Sequence, residues 1–300
     1  MSAGAKITVY SVLCLIWGST WLMIKVGLGD APPLTTAGLR FLLAALVILV
    51  ILLQQRIALP RSRAFFLLAS YLGIFHMAVP YGLVYWAEQH LTAGLTAVVF
   101  ATMPLMVTVL ARLFLGDPLS PWKTAGILMG AVGVYVIFSD SVSLGGRESV
   151  YGVLAVLASA FFAGLSSIVA KKYSTDYPPF ATILLPHLYG GIILCLVGTL
   201  AEKPSPLAWS TVTYTSIIYL AILGSVVAFA LYFWIIKHID VTVLSYQTFI
   251  IPVVACLLGW IFLRETVTLA TAMGGILVLG GIVLAVIPQS HRKRIAGAGP

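Results

Sequence analysis

Stretches of about twenty almost wholly apolar residues, parted by short polar clusters, recur ten times along the chain. A helix rising about 1.5 Å per residue needs roughly twenty residues to cross about 30 Å of hydrocarbon, so each stretch predicts one membrane span. The predicted spans are Ile7–Leu28, Leu34–Leu53, Ala64–Trp86, Leu91–Phe114, Trp122–Phe138, Tyr151–Ala170, Phe180–Leu200, Thr211–Ile236, Val241–Leu263 and Thr268–Ile287. The first is too long for a signal peptide and has no small-x-small cleavage site, so it is kept as a span. The connections are short, leaving no room for a soluble domain between spans, and no G-x-x-x-x-G-K-[ST] loop of an ATPase occurs.

The pattern also repeats. Sliding the sequence by 148 residues sets Trp86 on Trp234, His90 on His238, Pro104 on Pro252, Gly126 on Gly274 and Gly133 on Gly281. Before that block, a shift of 146 sets Gly18 on Gly164, Lys25 on Lys171 and Pro32-Pro33 on Pro178-Pro179. Each half, residues 1–145 and 146–300, therefore carries five spans. Because five is odd, the second half must enter the bilayer from the opposite side. The expected fold is an all-α membrane protein of ten helices in two inverted five-helix repeats, a plan that secondary transporters use to rock one half against the other.

Composition agrees: 61% of the residues are hydrophobic and only 9% charged, against about a quarter charged in soluble domains. The net charge of +8 does not point to nucleic acid, because the cations stand at span ends rather than along a polar helix face. With the N-terminus inside, Lys6, Arg56, Arg61, Arg63, Arg112, Lys123, Lys171, Lys172, Lys237, Arg292, Lys293 and Arg294 all fall on the inner face. Arg147, Lys203 and Arg264 fall outside. This bias predicts a multi-pass inner-membrane protein with both termini cytoplasmic. Cys14, Cys195 and Cys256 lie inside apolar spans without metal-ligand spacing and are read as packing residues, so neither a metal nor a cofactor is expected.

Polar residues within spans are few, and costly enough to be kept for function. Arg40 and Lys25 are the two cations there, and no carboxylate is placed at mid-membrane. The alternative roles are snorkelling for Lys25 and pairing with Asp30 or helix-end carbonyls for Arg40. His76 and His187 are placed near mid-span, each either a proton carrier, a ligand for a substrate carboxylate or a packing residue. Trp17 and Trp21 stand one turn apart; Trp17 is too deep for interfacial anchoring and either walls a cavity or packs, and Trp21, Tyr81, Phe100, Phe162, Tyr246 and Gln247 are further candidates. Pro80, Pro104 and Pro252 each lack an N–H and free the carbonyls of His76, Phe100 and Thr248, which suit an ammonium group or merely kink the helix. The turns Glu88-Gln89-His90 and Lys237-His238-Ile239-Asp240 join repeat-mate hairpins and are candidate gates on opposite faces. The glycines of spans five and ten predict close helix packing, either as a static core or as a dimer surface.

The run Trp17-Gly18-Ser19-Thr20-Trp21 followed by Lys25, Pro32-Pro33 followed by Arg40-Phe41, and Arg264-Glu265 before a glycine-rich last span resemble the drug/metabolite transporter superfamily, specifically its EamA-type ten-helix exporters. The resemblance implies a central cavity lined mainly by spans one, three, four, six, eight and nine, and export of amino acids or related small metabolites. The small multidrug pumps of that superfamily carry a Glu in their first span; this chain has none, which argues against a cationic drug substrate. The expected activity is alternating-access export of a small neutral or zwitterionic metabolite, most simply an apolar or aromatic amino acid, by a monomer or homodimer in the lipid bilayer. An exchanger of anionic metabolites such as sugar phosphates would need several convergent cations. An intramembrane or lipid-handling enzyme would need a convergent acid-base or metal set, and no H-E-x-x-H or G-x-S-x-G occurs.

Overall fold

A computed structural model describes residues 3–144, 146–174, 177–239 and 241–296. Asp240 and the side chains of Arg292, Lys293 and Arg294, used above in the hairpin and charge arguments, lie outside the described residues. Among the described residues there is no strand. Ten helices follow in succession among the described residues, the first nine of them long and apolar enough to cross a membrane: α1 Gly4–Gly27, α2 Pro33–Gln54, α3 Arg63–Glu88, α4 Ala93–Leu115, α5 Pro121–Val142, α6 Gly146–Tyr173, α7 Pro179–Ala201, α8 Thr211–Ile235, α9 Val243–Leu263 and α10 Leu269–Ala296. The apolar part of α10, Leu269–Ala285, is shorter than the others.

The helix ends follow from local chemistry, and mates use the same chemistry. Pro33 and Pro179 stand in the first turns of α2 and α7, where a missing N–H costs nothing. Ser62 caps α3 by accepting from the Phe65 N–H at 3.2 Å. Ser210, its mate at a shift of 148, caps α8 by accepting from Thr213 at 3.3 Å. Gly116 ends α4 and Arg264 ends α9, both in the left-handed conformation. The rings of Trp86 and His90 pack at 4.8 Å, and those of their mates Trp234 and His238 at 4.3 Å.

Repeat mates pack on each other across the pseudo-two-fold axis, α5 along α10 and α2 along α7. A Cβ added to Gly133 would stand 2.6 Å from the Gly274 carbonyl oxygen, and one on Gly126 would run into Gly281. The glycines of α5 and α10 are thus used inside the chain to seat one backbone on the other, as the core reading expects. Cys195 and Cys256 lie against Gly38 and Gly94, and Cys14 is buried; all three are free thiols.

Four helices are interrupted where they meet the centre. A π-helical segment, Gly73–Ala78, interrupts α3 just before Pro80, and Ser159 and Ser166 of α6 donate to the carbonyls of Pro80 and Phe75 at 2.8 and 2.7 Å. The matching segment of α8, Leu220–Val227, contains no proline. Helix α4 breaks between Phe100 and Met103, ahead of Pro104. Helix α9 breaks at Tyr246, earlier than Pro252.

Candidate functional site

The interrupted stretches converge on one cavity of about 340 Å³. Its walls are Trp17, Thr20, Trp21 and Ile24 of α1; His76, Pro80, Tyr81 and Val84 of α3; and Ala97, Phe100, Ala101, Met103 and Pro104 of α4. Ser159 and Ala163 of α6, Gly224 of α8, and Gln247, Thr248, Ile251 and Pro252 of α9 complete them, and α2 adds Arg40. Seven of the binding candidates read from the sequence meet here, with all three prolines.

Arg40 is 3% exposed. Its guanidinium lies 5.4 and 5.2 Å from the ring centres of Phe41 and Tyr81 and donates to the Tyr85 hydroxyl at 3.3 Å and weakly to Ser225 at 3.5 Å. The Nε–H has no partner among the described residues, and no carboxylate pairs with the group. Asp30, the partner considered above, is engaged elsewhere: its carboxylate accepts from the Thr213 hydroxyl and, at 2.6 Å, from the Ser210 N–H. A cation at membrane depth without a counter-ion is tolerable beside a cavity that admits one. Gly224 makes the room, since a Cβ there would stand 3.4 Å from the guanidinium and 2.9 Å from Thr20.

Two more polar side chains of the wall carry buried atoms without partners, Nδ1 of His76 and Oε1 of Gln247. The rest is largely aromatic. Trp21 and Phe100 pack at 5.5 Å, Tyr81 stands edge-on to Phe41 at 4.8 Å, and Trp17 rests on Phe229 and Tyr232. The site therefore offers a fixed cation, two unsatisfied polar atoms on helices from opposite repeats, and ring faces for apolar matter.

Four sequence candidates lie away from the cavity wall. The ring of His187 is 1% exposed; its Nδ1 meets the Ile183 carbonyl at 2.8 Å, and it packs between Phe41 and Phe229. Its hydrogen bond is satisfied within its own helix, so it is a packing residue. Phe162 stacks on Phe75 at 6.0 Å. Tyr246 is 38% exposed at the break in α9. The ammonium of Lys25 does not snorkel but donates to the carbonyls of Glu88 and, at 2.7 Å, Leu91. Glu88 is not a turn residue either: it ends α3 with its carboxyl fully buried, and neither oxygen has a hydrogen-bond partner among the described residues.

Sequence reasoning passed over Thr20, Ser159 and Gly224. Ser159 and Ser166 recur on one face of α6, a signal for polar contacts with a neighbouring helix. Thr20 sits one turn from Trp17 on the same face. Gly224 carried no signal of its own.

A sequence model described as the EamA-like transporter family matches residues 6–139 and again residues 150–287. The chain belongs to the EamA-like transporter family. Among its relatives, the uncharacterized transporter YoaV of Bacillus subtilis (strain 168) is 28% identical over 284 residues, covering 93% of this chain and 96% of that one. The uncharacterized inner membrane transporter YedA of Escherichia coli (strain K12) is 30% identical over 289 residues, covering 96% and 91%. A solved crystal structure shares the fold, with a TM-score of 0.66 at 21% identity over 95% of this chain and 98% of the other. Each matched segment takes in five of the ten helices. The chain is a multi-pass membrane transporter.

Proposed function

We propose that this transporter exports amino acids with apolar or aromatic side chains across the inner membrane by alternating access, with both termini cytoplasmic. The observation that carries the reading is the buried guanidinium of Arg40, which no carboxylate contacts among the described residues, facing an aromatic cavity. A substrate carboxylate supplies the missing counter-charge, with His76 as a second contact. The ammonium group meets Gln247 and the carbonyls that Pro104 and Pro252 leave without their helical N–H. Trp21, Phe100 and Tyr81 cover the side chain. At about 340 Å³ the cavity falls at the lower end of the roughly 300–1,000 Å³ typical of small-molecule sites. Arg40 is the one Arg or Lys on the described wall, which favours a single carboxylate over a phosphate.

The test is uptake or exchange by the purified protein in liposomes with a panel of radiolabelled amino acids. Phenylalanine, leucine and their neighbours are expected to move, and movement of sugar phosphates instead, or of no amino acid at all, would sink the substrate assignment.

A further inference from the structure

The two hairpins of the inverted repeat are alike in sequence and unlike in attachment. The first, between α3 and α4, packs on both α1 and α6, and the N-terminal half of α4 packs on α9. The second, between α8 and α9, packs on α1, where Tyr10 donates to the Val243 carbonyl at 3.0 Å, but has no extensive packing on α6 among the described residues. The first is therefore shut and the second stands off its pseudo-symmetric seat.

Two charged side chains hold the first hairpin shut. Lys25 of α1 donates to the carbonyls of Glu88 and Leu91 at its tip. Glu265, just past α9, accepts from the N–H groups of Ala93 and Gly94 at 2.8 and 3.3 Å, capping α4. Both side chains have mates of the same charge. Lys25 falls on Lys171, and Glu265 falls on Asp117. The carbonyls and N–H groups they hold fall on Ile236, Ile239, Val241 and Thr242 of the second hairpin. The backbone that aims the acid is also the same. Glu265 follows left-handed Arg264 and its N–H reaches Gly259 at 3.1 Å; Asp117 follows left-handed Gly116 and its N–H reaches Ala111 at 3.3 Å. Yet Lys171 and Asp117 are exposed, and their side chains have no partner among the described residues.

We propose that these are two interchangeable latches: Lys25 with Glu265 closes the first hairpin in the state described, and Lys171 with Asp117 closes the second in the opposite state. The proposal rests on the alternating-access reading. Each latch satisfies helix-end carbonyls and N–H groups that lack intrahelical partners. Opening one while closing the other exchanges like bonds for like bonds, which keeps the two states close in free energy, as a carrier requires. The buried carboxyl of Glu88 lacks partners beneath the first hairpin; hydrating it on opening offsets part of the cost of releasing Lys25.

The experiment uses Ala97→Cys, on the cavity wall beneath the first hairpin, as reporter in oriented proteoliposomes. A membrane-impermeant maleimide is added from either face, and labelling at position 97 is read by peptide mass spectrometry, apart from Cys14, Cys195 and Cys256. Lys25→Ala or Glu265→Gln is expected to raise labelling from the first hairpin's face relative to the other at least threefold. Lys171→Ala or Asp117→Asn, at exposed positions where folding is not at risk, is expected to lower that ratio. In a chain without the reporter cysteine, Lys171→Cys with Ile239→Cys should be bridged by a bifunctional thiol reagent whose spacer matches the reach of a lysine side chain, since the two backbones stand too far apart for a direct disulfide. A ratio that Asp117→Asn and Lys171→Ala leave unchanged or raise, or a pair that never cross-links, overturns the proposal. The probe is the maleimide and no substrate is present, so a wrong substrate assignment leaves the result interpretable.

Discussion

Arg40 is the side chain on which the substrate reading turns, and its chemistry separates charge from shape. Charge-assisted hydrogen bonds contribute about 1.5–3 kcal/mol, so Arg40→Ala should weaken substrate binding roughly ten- to hundredfold in liposome transport. Arg40→Lys should recover only part of this, because an ammonium lacks the planar fork that also lies by Phe41 and Tyr81. Gly224→Val should mimic the loss without touching the charge, since its side chain would occupy the space of Thr20 and the guanidinium. Asp30 answers a different question. Hydrogen bonds from Thr213, then Ser210, hold its carboxyl below the usual carboxylate range. A depressed folded value stabilises the protein above the unfolded value, about 3.9, and that contribution fades as pH falls through the folded value. In detergent, Asp30→Asn should therefore lower Tm at pH 7 and lower it less at pH 3; an equal loss at both would assign the effect to shape. The sequence pointed to Arg40, His76 and Gln247 because polar groups are rare in these spans. It could not tell His76 from His187, since the difference lies in which ring nitrogen finds a carbonyl within its own helix.

The elements were legible where the signal is length and hydropathy, and less so where tertiary contacts decide. The first nine helices fall within about five residues of the expected spans, whereas α10 runs on to Ala296, past the expected end at Ile287; uninterrupted apolarity at this length has few other solutions. The interruptions were half legible. Proline announces those of α3 and α4, whereas the π-segment of α8 contains none and α9 breaks at Tyr246 rather than beside Pro252. The charge pattern placed Lys25 near a span end and left its partners open, since only the folded hairpin brings the Glu88 and Leu91 carbonyls to it. The seam of α5 and α10 gives the sharpest test at this scale. A side chain at Gly133 meets the Gly274 carbonyl at 2.6 Å and the Val278 nitrogen at 2.8 Å, backbone atoms that cannot swing aside. Gly133→Val should part the two helices and cost about 1–3 kcal/mol or more, seen as a lower Tm or loss of the monodisperse peak. The same change at Gly4, which has open space around it, should be silent.

At the scale of the whole molecule, a symmetric scaffold carries an asymmetric site. Caps, hairpin rings, left-handed helix ends and the glycine seam all recur mate for mate. The cavity wall does not, because its one Arg comes from α2 of the first repeat. Symmetry serves the exchange between two faces, which needs equivalent closed ends, whereas recognition of a small asymmetric molecule needs unlike groups about one point. This division makes the orientation of the repeats a consequential measurement. Ten successive crossings put the turn between α2 and α3 on the same face as the end of α6, although the corresponding places in the two repeats face opposite ways. Cysteines introduced at Arg61 and Lys171 should therefore react with an impermeant maleimide from the same side of the membrane, and one at Lys203 from the other. On the charge asymmetry, the shared side is expected to be the cytoplasm. Labelling of positions 61 and 171 from opposite sides would remove the inverted arrangement, and with it the equivalence of the two hairpins on which alternating closure depends.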